Sequence, residues 1–265
     1  MNCLVAMVIP HSPHLNCPMP ITFKNTVAAV VLLLATSASV AADTDFAQCR
    51  AMFVGAKIPV LQNQSLTPRP LCYDSFAVLH SGKSHTPIYV AQRLNKDMVG
   101  PKITRGTRFF ADARLPRAER AELDDYKNSG FDRGHMAPAG DMDTSASMAQ
   151  SFSLANMVPQ SSTNNRISWA GIEKATRKYV MRAAGDVYVI TGPVFGPNPP
   201  TIGPNQVWIP QHLFKLVYDP ATKRAWAYWL ANTDDARAEK PISYAELVRR
   251  TGINFLPGLS ADMIR

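Results

Sequence analysis

Apolar, β-branched and aromatic residues gather in five short runs, residues 75–80, 87–93, 186–191, 213–218 and 225–230, each with turn-prone borders. This pattern predicts strands. Between the second and third runs the period changes. Asn165, Trp169, Glu173 and Arg177 recur every four residues, so residues 165–184 read as a helix whose one face carries an amide, an indole, a carboxylate and a guanidinium in turn. Shorter helices are predicted over residues 145–152 and 243–250, the latter opening with the capping-box pattern Ser243-Tyr244-Ala245-Glu246. Residues 192–205, with five prolines and three glycines, predict loop, and residues 50–70, polar with three prolines, predict an extended entry segment. No internal repeat is visible, and the pattern is that of a single α+β domain.

Within this frame the densest chemistry is Phe131-Asp132-Arg133-Gly134-His135-Met136-Ala137-Pro138. Arg133 can grip a phosphate through a planar bidentate fork, and His135 can accept a proton near neutral pH. A phosphate holder beside a base points to phosphodiester hydrolysis. Downstream, Asn165 and Glu173 put an amide oxygen and a carboxylate on one helix face, a donor set suited to a magnesium ion that keeps most of its waters. An ordinary amphipathic helix with Trp169 and Ile172 in the core accounts for that face equally well until the Asp-Arg-Gly-His segment is added. His80, His85 and His212 read as structural or solvated, Asp141 and Asp143 as turn and cap residues, and Asp132 as a brace for the motif.

Taken in order, these segments resemble the DNA/RNA non-specific endonuclease family, the sugar-non-specific nucleases built around a ββα-metal (His-Me) finger. The likeness covers residues 71–79 and 87–94 as early strands, Arg108-Phe109-Phe110-Ala111-Asp112, the Asp-Arg-Gly-His motif and Asn156-Met157-Val158-Pro159-Gln160. It continues through Asn165 with Trp169 and Glu173 to Tyr188-Val189-Ile190-Thr191-Gly192-Pro193-Val194-Phe195. The resemblance implies a single α+β domain with a central antiparallel sheet and a ββα-metal finger active site. It implies His135 as general base, Asn165 as the direct Mg2+ ligand, with Mn2+ or another divalent cation able to substitute, and Arg133 close to the scissile phosphate. Asn156, Glu173, Arg177 and Arg108 match positions that assist. DNA and RNA are the implied substrates and 5′-phosphorylated fragments the products, with an inhibitor protein and a homodimer as compatible partners. A basic nucleic-acid-binding protein that has lost cleavage is the competing reading, and the intact His135 and Asn165 argue against it.

Charge fits a polyanionic partner without identifying one: 28 Lys and Arg against 20 Asp and Glu give +8, with a pI near 9.4. At the N-terminus, Lys24 precedes an apolar run over residues 27–35 and then Thr36-Ser37-Ala38-Ser39-Val40-Ala41-Ala42, the pattern of a secretory signal. Cleavage after Ala42 is expected, leaving residues 43–265 as the endonuclease domain, periplasmic or secreted, with no membrane association in the mature form. Met19 would open a conventional signal peptide, which makes residues 1–18 either a start-site extension or part of a long leader. Removing residues 1–42 takes Cys3 and Cys17 with it. The remaining pair, Cys49 and Cys72, reads as a disulfide in an oxidising compartment. Two cysteines so far apart, without a paired histidine pattern, exclude a zinc finger.

Overall fold

The first three strands are β1 (Pro68–Cys72), β2 (Ala77–Ser81) and β3 (Thr86–Leu94), and β4 (Asp132–His135) and β5 (Met157–Gln160) follow after a long connection. Then come β6 (Val187–Val194), the two-residue strands β7 (Thr201–Ile202) and β8 (Val207–Trp208), β9 (His212–Asp219), β10 (Arg224–Ala231) and β11 (Ile242–Ser243). The helices are α1 (Lys96–Val99), α2 (Leu123–Tyr126), α3 (Ser145–Gln150), α4 (Ala170–Val180) and α5 (Tyr244–Thr251). The computed structural model describes residues 46–100, 103–259 and 264, so the leader expected over residues 1–42 lies outside the described residues.

Seven strands form one antiparallel sheet in the order β1-β2-β3-β6-β9-β10-β11. The five predicted strands are its β2, β3, β6, β9 and β10. β1 falls in a segment expected to be mere entry chain, because its two prolines argue against a strand; at a sheet edge the missing N–H groups cost little. The proline-rich stretch expected to be loop also gives up its ends to structure. β6 continues through Gly192-Pro193 to Val194, and β7 pairs with β8 as a small hairpin. Gly192 makes the first of these possible, since a Cβ there would stand 2.6 Å from the carbonyl oxygen of Ile88.

Each face of the sheet is covered. On one side Leu79, Tyr89, Phe214 and Leu216 pack against Phe46 and Phe53 of the entry segment and against Leu247 of α5 and Phe255. The Cys49–Cys72 disulfide ties that entry segment to β1, closing a separation of 23 residues; a loop of that length is worth about 3 kcal/mol on the chain-entropy estimate. Ser243 caps α5 by accepting from Glu246 N at 3.2 Å. Only that half of the predicted capping box forms, because the Glu246 carboxylate turns instead to Arg249 and Arg250.

On the opposite side Val78, Val90, Leu213 and Leu230 meet Met136, Met142, Trp169 and Ile172. This layer is the floor on which the finger rests: β4 and β5 pair antiparallel, with His135 opposite Met157, and α4 follows. Near the start of β6, Val187, Val189 and Val217 pack with Leu94 and with Val180 at the end of α4, fixing the helix along its length. The predicted helix starts as a π-turn, Asn164–Trp169, before becoming α-helical. Such turns concentrate at functional sites because they rotate side chains off the regular face. Here Asn165, Glu173 and Arg177 line one pocket, while Trp169, on the same four-residue spacing, is fully buried in the floor, the core position expected for it.

Candidate active site

A pocket of about 490 Å³ opens between the finger, the turn after it, the start of α4 and the segment around Arg105 and Phe109. Its walls bring together His135, Arg133, Asn165, Glu173 and Arg177. Two other sequence-predicted residues lie elsewhere. Arg108 is exposed and outside the lining; Phe109 takes the wall position next to it, and the basic residue from this segment that reaches the pocket is Arg105. Asn156 is fully buried behind the wall, bonding Ala137 through both its N–H and its carbonyl at 2.9 Å and donating to Ser151 O at 2.9 Å. It holds the turn that follows His135 and lines no part of the pocket.

The imidazole of His135 sits in an aromatic box, 5.0 Å from the Phe152 ring edge-on and 5.8 Å from Phe109. Burial, and secondarily the positive charge of Arg105, push its pKa down to about 3. The ring is therefore neutral at any physiological pH, the form that can take a proton, though burial also makes it a weaker base than an ordinary imidazole. Nε2 is buried with no hydrogen-bond partner among the described residues. Gly134 beside it is required by packing, because Gln160 crosses directly over its Cα and a Cβ would meet the Gln160 Cβ at 2.6 Å.

Arg133 lies between two rings, 4.6 Å from the centre of Phe109 and 5.9 Å from that of Tyr126, and makes no ion pair among the described residues. Its Nε is buried and without a partner. A guanidinium held flat by aromatic faces and left without a carboxylate is preorganised for an anion. Of the other pocket arginines, Arg166 is paired with Asp132 and Arg177 with Asp141, while Arg105, like Arg133, makes no ion pair among the described residues.

Asp132 does brace the motif. Its carboxylate accepts from Ser162 Oγ, from Asn165 Nδ2 at 3.0 Å and from two guanidinium nitrogens of Arg166 at 2.7 and 2.9 Å. Burial works to raise its pKa, but those bonds, led by Arg166, hold it below the usual carboxylate range. An ionised carboxylate can only accept, so the Asn165 amide must present its NH2 to Asp132. The Asn165 Oδ1 is left accepting no hydrogen bond among the described residues.

At this wall and behind it lies a set of charges, Glu173 half-buried in the lining and Asp141 and Lys215 fully buried. Burial pushes Glu173 up to about 7 against the pull of Lys215, with Asp141 adding to the rise and Arg177 and Arg105 opposing it. Asp141, 2% exposed, is also raised by burial although Arg177 donates to it at 3.0 Å. Glu173 accepts no hydrogen bond among the described residues. Among them no three His, Cys, Asp or Glu side chains converge as a metal cluster. A hard cation that keeps several waters needs no such cluster, and the unsatisfied Asn165 oxygen with the Glu173 carboxylate at the same pocket fits one. Lys215 carries the one sequence signal for this set that went unread: a lysine inside the apolar run Leu213-Phe214-Lys215-Leu216-Val217.

The sequence profile of the DNA/RNA non-specific endonuclease family matches residues 58–262. The mitochondrial nuclease EXOG of Danio rerio is 30% identical over 213 residues, 72% of this chain and 62% of that protein, so the chain spans about three fifths of that relative's length. Human mitochondrial endonuclease G is 30% identical over 209 residues, 71% of this chain and 69% of its own. A crystal structure of an EndoG/EndoGI complex shares the fold, with a TM-score of 0.67 at 23% identity over 74% of this chain and 88% of that one. Both named relatives are mitochondrial, which overturns the expectation of a periplasmic or secreted protein. That expectation rested on a leader carrying one lysine, an apolar run and no acid, features that do not by themselves separate export from organelle import. Among the described residues no helix is long and apolar enough to cross a membrane.

Proposed function

The chain belongs to the DNA/RNA non-specific endonuclease family, and we propose that it hydrolyses phosphodiester bonds of DNA and RNA with little sequence preference, using His135 as general base. The observation that carries this reading is the convergence of His135, Arg133, Asn165 and Glu173 on one pocket. His135, neutral in its aromatic box, takes the proton from the water that attacks phosphorus. Arg133 and Arg105 meet the phosphate oxygens and offset the charge that builds on them as the bond to water forms. A bound phosphate also offsets Arg105, the charge that depresses the imidazole, and so makes His135 a stronger base when substrate is present.

Asn165 would hold a magnesium ion directly and Glu173 would hold its waters, and the ion when bound supplies Lewis-acid polarisation of phosphate and charge relief on the leaving oxygen. Departure of the 3′-oxygen leaves 5′-phosphorylated fragments. The groups named here address phosphate rather than base edges, which supports weak sequence preference.

The test is incubation of supercoiled plasmid and of structured RNA with the purified protein, with Mg2+ and with a chelator. Nicking of both substrates with Mg2+, abolished by the chelator, is expected. A protein that binds both and cuts neither under any divalent cation sinks the reading.

A further inference from the structure

The two pocket guanidiniums that make no ion pair among the described residues are each carried on a phenylalanine. Arg133 lies over Phe109, and Arg105 lies over Phe152, 5.3 Å from the ring centre. The two rings meet each other at 4.9 Å, steeply tilted. Phe152 also meets the imidazole of His135 at 5.0 Å, with the ring planes 87° apart. One side chain therefore touches the proposed base, one of the two free arginines and the ring beneath the other. Phe152 itself is 2% exposed and lies outside the pocket lining, so it meets no substrate.

The chain holds this ring firmly in place. Just past α3, the Phe152 N–H donates to Ala149 O at 3.2 Å, while its carbonyl accepts from Phe110 N at 3.3 Å. Leu154 N returns a bond to Phe110 O at 2.8 Å, closing a parallel bridge between residues 110 and 153. Ser153 Oγ in turn accepts from Tyr73 Oη at 3.0 Å and donates to the Asp112 carboxylate at 3.3 Å. Gly106, next to Arg105, packs on the ring edge, where a Cβ would stand 3.3 Å from Phe152 Cε2. With bonds on both sides of its backbone and close packing on its ring, Phe152 gives a fixed place to whatever leans on it.

We propose that Phe152 is a positioning residue for the reaction, the ring that sets His135 and Arg105 at a fixed separation so that the attacking water and the phosphate come into line. This rests on the nuclease reading of the pocket. A base and a phosphate holder on different segments need a common support, since a shift of about 1 Å can cost roughly 10²-fold in rate. The aromatic face matters as well as the volume, because only a ring attracts the guanidinium laid on it.

The test is plasmid nicking with Mg2+ by Phe152→Leu in the wild-type and His135→Ala chains, with the imidazole C–H proton resonances of the metal-free proteins recorded alongside. Leucine keeps the position apolar and removes the ring face. Phe152→Leu is expected to lower kcat roughly 10- to 100-fold while KM, set also by Arg133, stays within about threefold. In the His135→Ala chain the same change should cost less than about threefold, because no base is left to misplace. The His135 resonance, identified by its absence from His135→Ala, should move when the neighbouring ring is lost. Equal losses of kcat in both backgrounds, a loss carried by KM, or an unmoved His135 resonance would overturn the proposal. A wild-type protein that cuts nothing overturns the nuclease reading instead, while the resonance still decides whether Phe152 fixes the imidazole. If Phe152→Leu does not fold, Gly106→Ala, which keeps the ring and presses on its edge, should lower kcat in the wild type but not in His135→Ala. Gly106→Ala cutting at the wild-type rate then counts against Phe152.

Discussion

Replacing Glu173 by Gln should make the metal-free protein more stable in alkaline solution, although the residue belongs to the proposed machinery. The carboxylate is raised by burial to about 7 from an ordinary value near 4.5, and among the described residues it accepts no hydrogen bond that a carboxamide would break. In the range between those values the folded chain holds a proton that the unfolded chain has released. Stability therefore falls as pH rises through that window and stays low above it. Roughly two and a half pKa units at 1.36 kcal/mol each set the cost of ionised Glu173 at about 3 kcal/mol above pH 7, an upper limit because the residue is half-buried at a pocket wall. Glutamine keeps the shape and removes the charge. Urea unfolding followed by tryptophan fluorescence, in chelator so that no cation offsets the carboxylate, should show a gain of about 2–3 kcal/mol at pH 8.5 and less than about 1 kcal/mol at pH 5. A Glu173→Gln protein no more stable than wild type at pH 8.5, or one stabilised equally at both pH values, would refute the argument.

His135→Ala should bind nucleic acid with nearly unchanged affinity and salt dependence yet cleave at least about a hundredfold more slowly, since a positioned base is worth roughly 10²–10⁴; cleavage within a few-fold of wild type removes the assignment. Because burial holds the imidazole near 3, protonation of His135 in the free protein should not limit kcat/KM on the acid side until well below pH 6, and a limb at 6.5 that vanishes in His135→Ala would contradict that. Asn165→Ala should lose most cleavage across a full Mg2+ titration while its circular dichroism stays native, and wild-type rates at any Mg2+ concentration would exclude the amide as the cation's holder. Gly134→Ala, which forces Gln160 aside, should lower the unfolding free energy by about 1–3 kcal/mol, and an unchanged urea midpoint would show that Gln160 yields freely.

What the sequence made legible is what is local. The Asp-Arg-Gly-His string and the spacing of Asn165, Glu173 and Arg177 survive folding because one short strand and one helix carry them. Arg108 failed as a pocket residue because the chain around it has no period from which a facing can be read, so nothing distinguished it from Arg105. Trp169 shares the spacing of four but was expected in the core, and it is fully buried there. Lys215 and Asp141 belong to the site only through tertiary placement: sheet register sets residue 215 beside residue 191, and Arg177 reaches residue 141 from another element. No window of sequence contains those neighbours.

The costs stored in this pocket share one remedy. Among the described residues, an ionised Glu173 without a direct partner, a desolvated His135 and an Arg133 whose Nε has no acceptor each weaken the fold, and no fold-level need explains any of them. An anion set against Arg133 and Arg105 relieves the arginine and the imidazole together, while a hard cation relieves Glu173 and the idle oxygen of Asn165. Phosphate and metal therefore meet complementary deficits in one pocket, and each brings the charge that favours the other. A site built only to bind nucleic acid would need the first deficit. The second makes sense where a phosphodiester must also be broken.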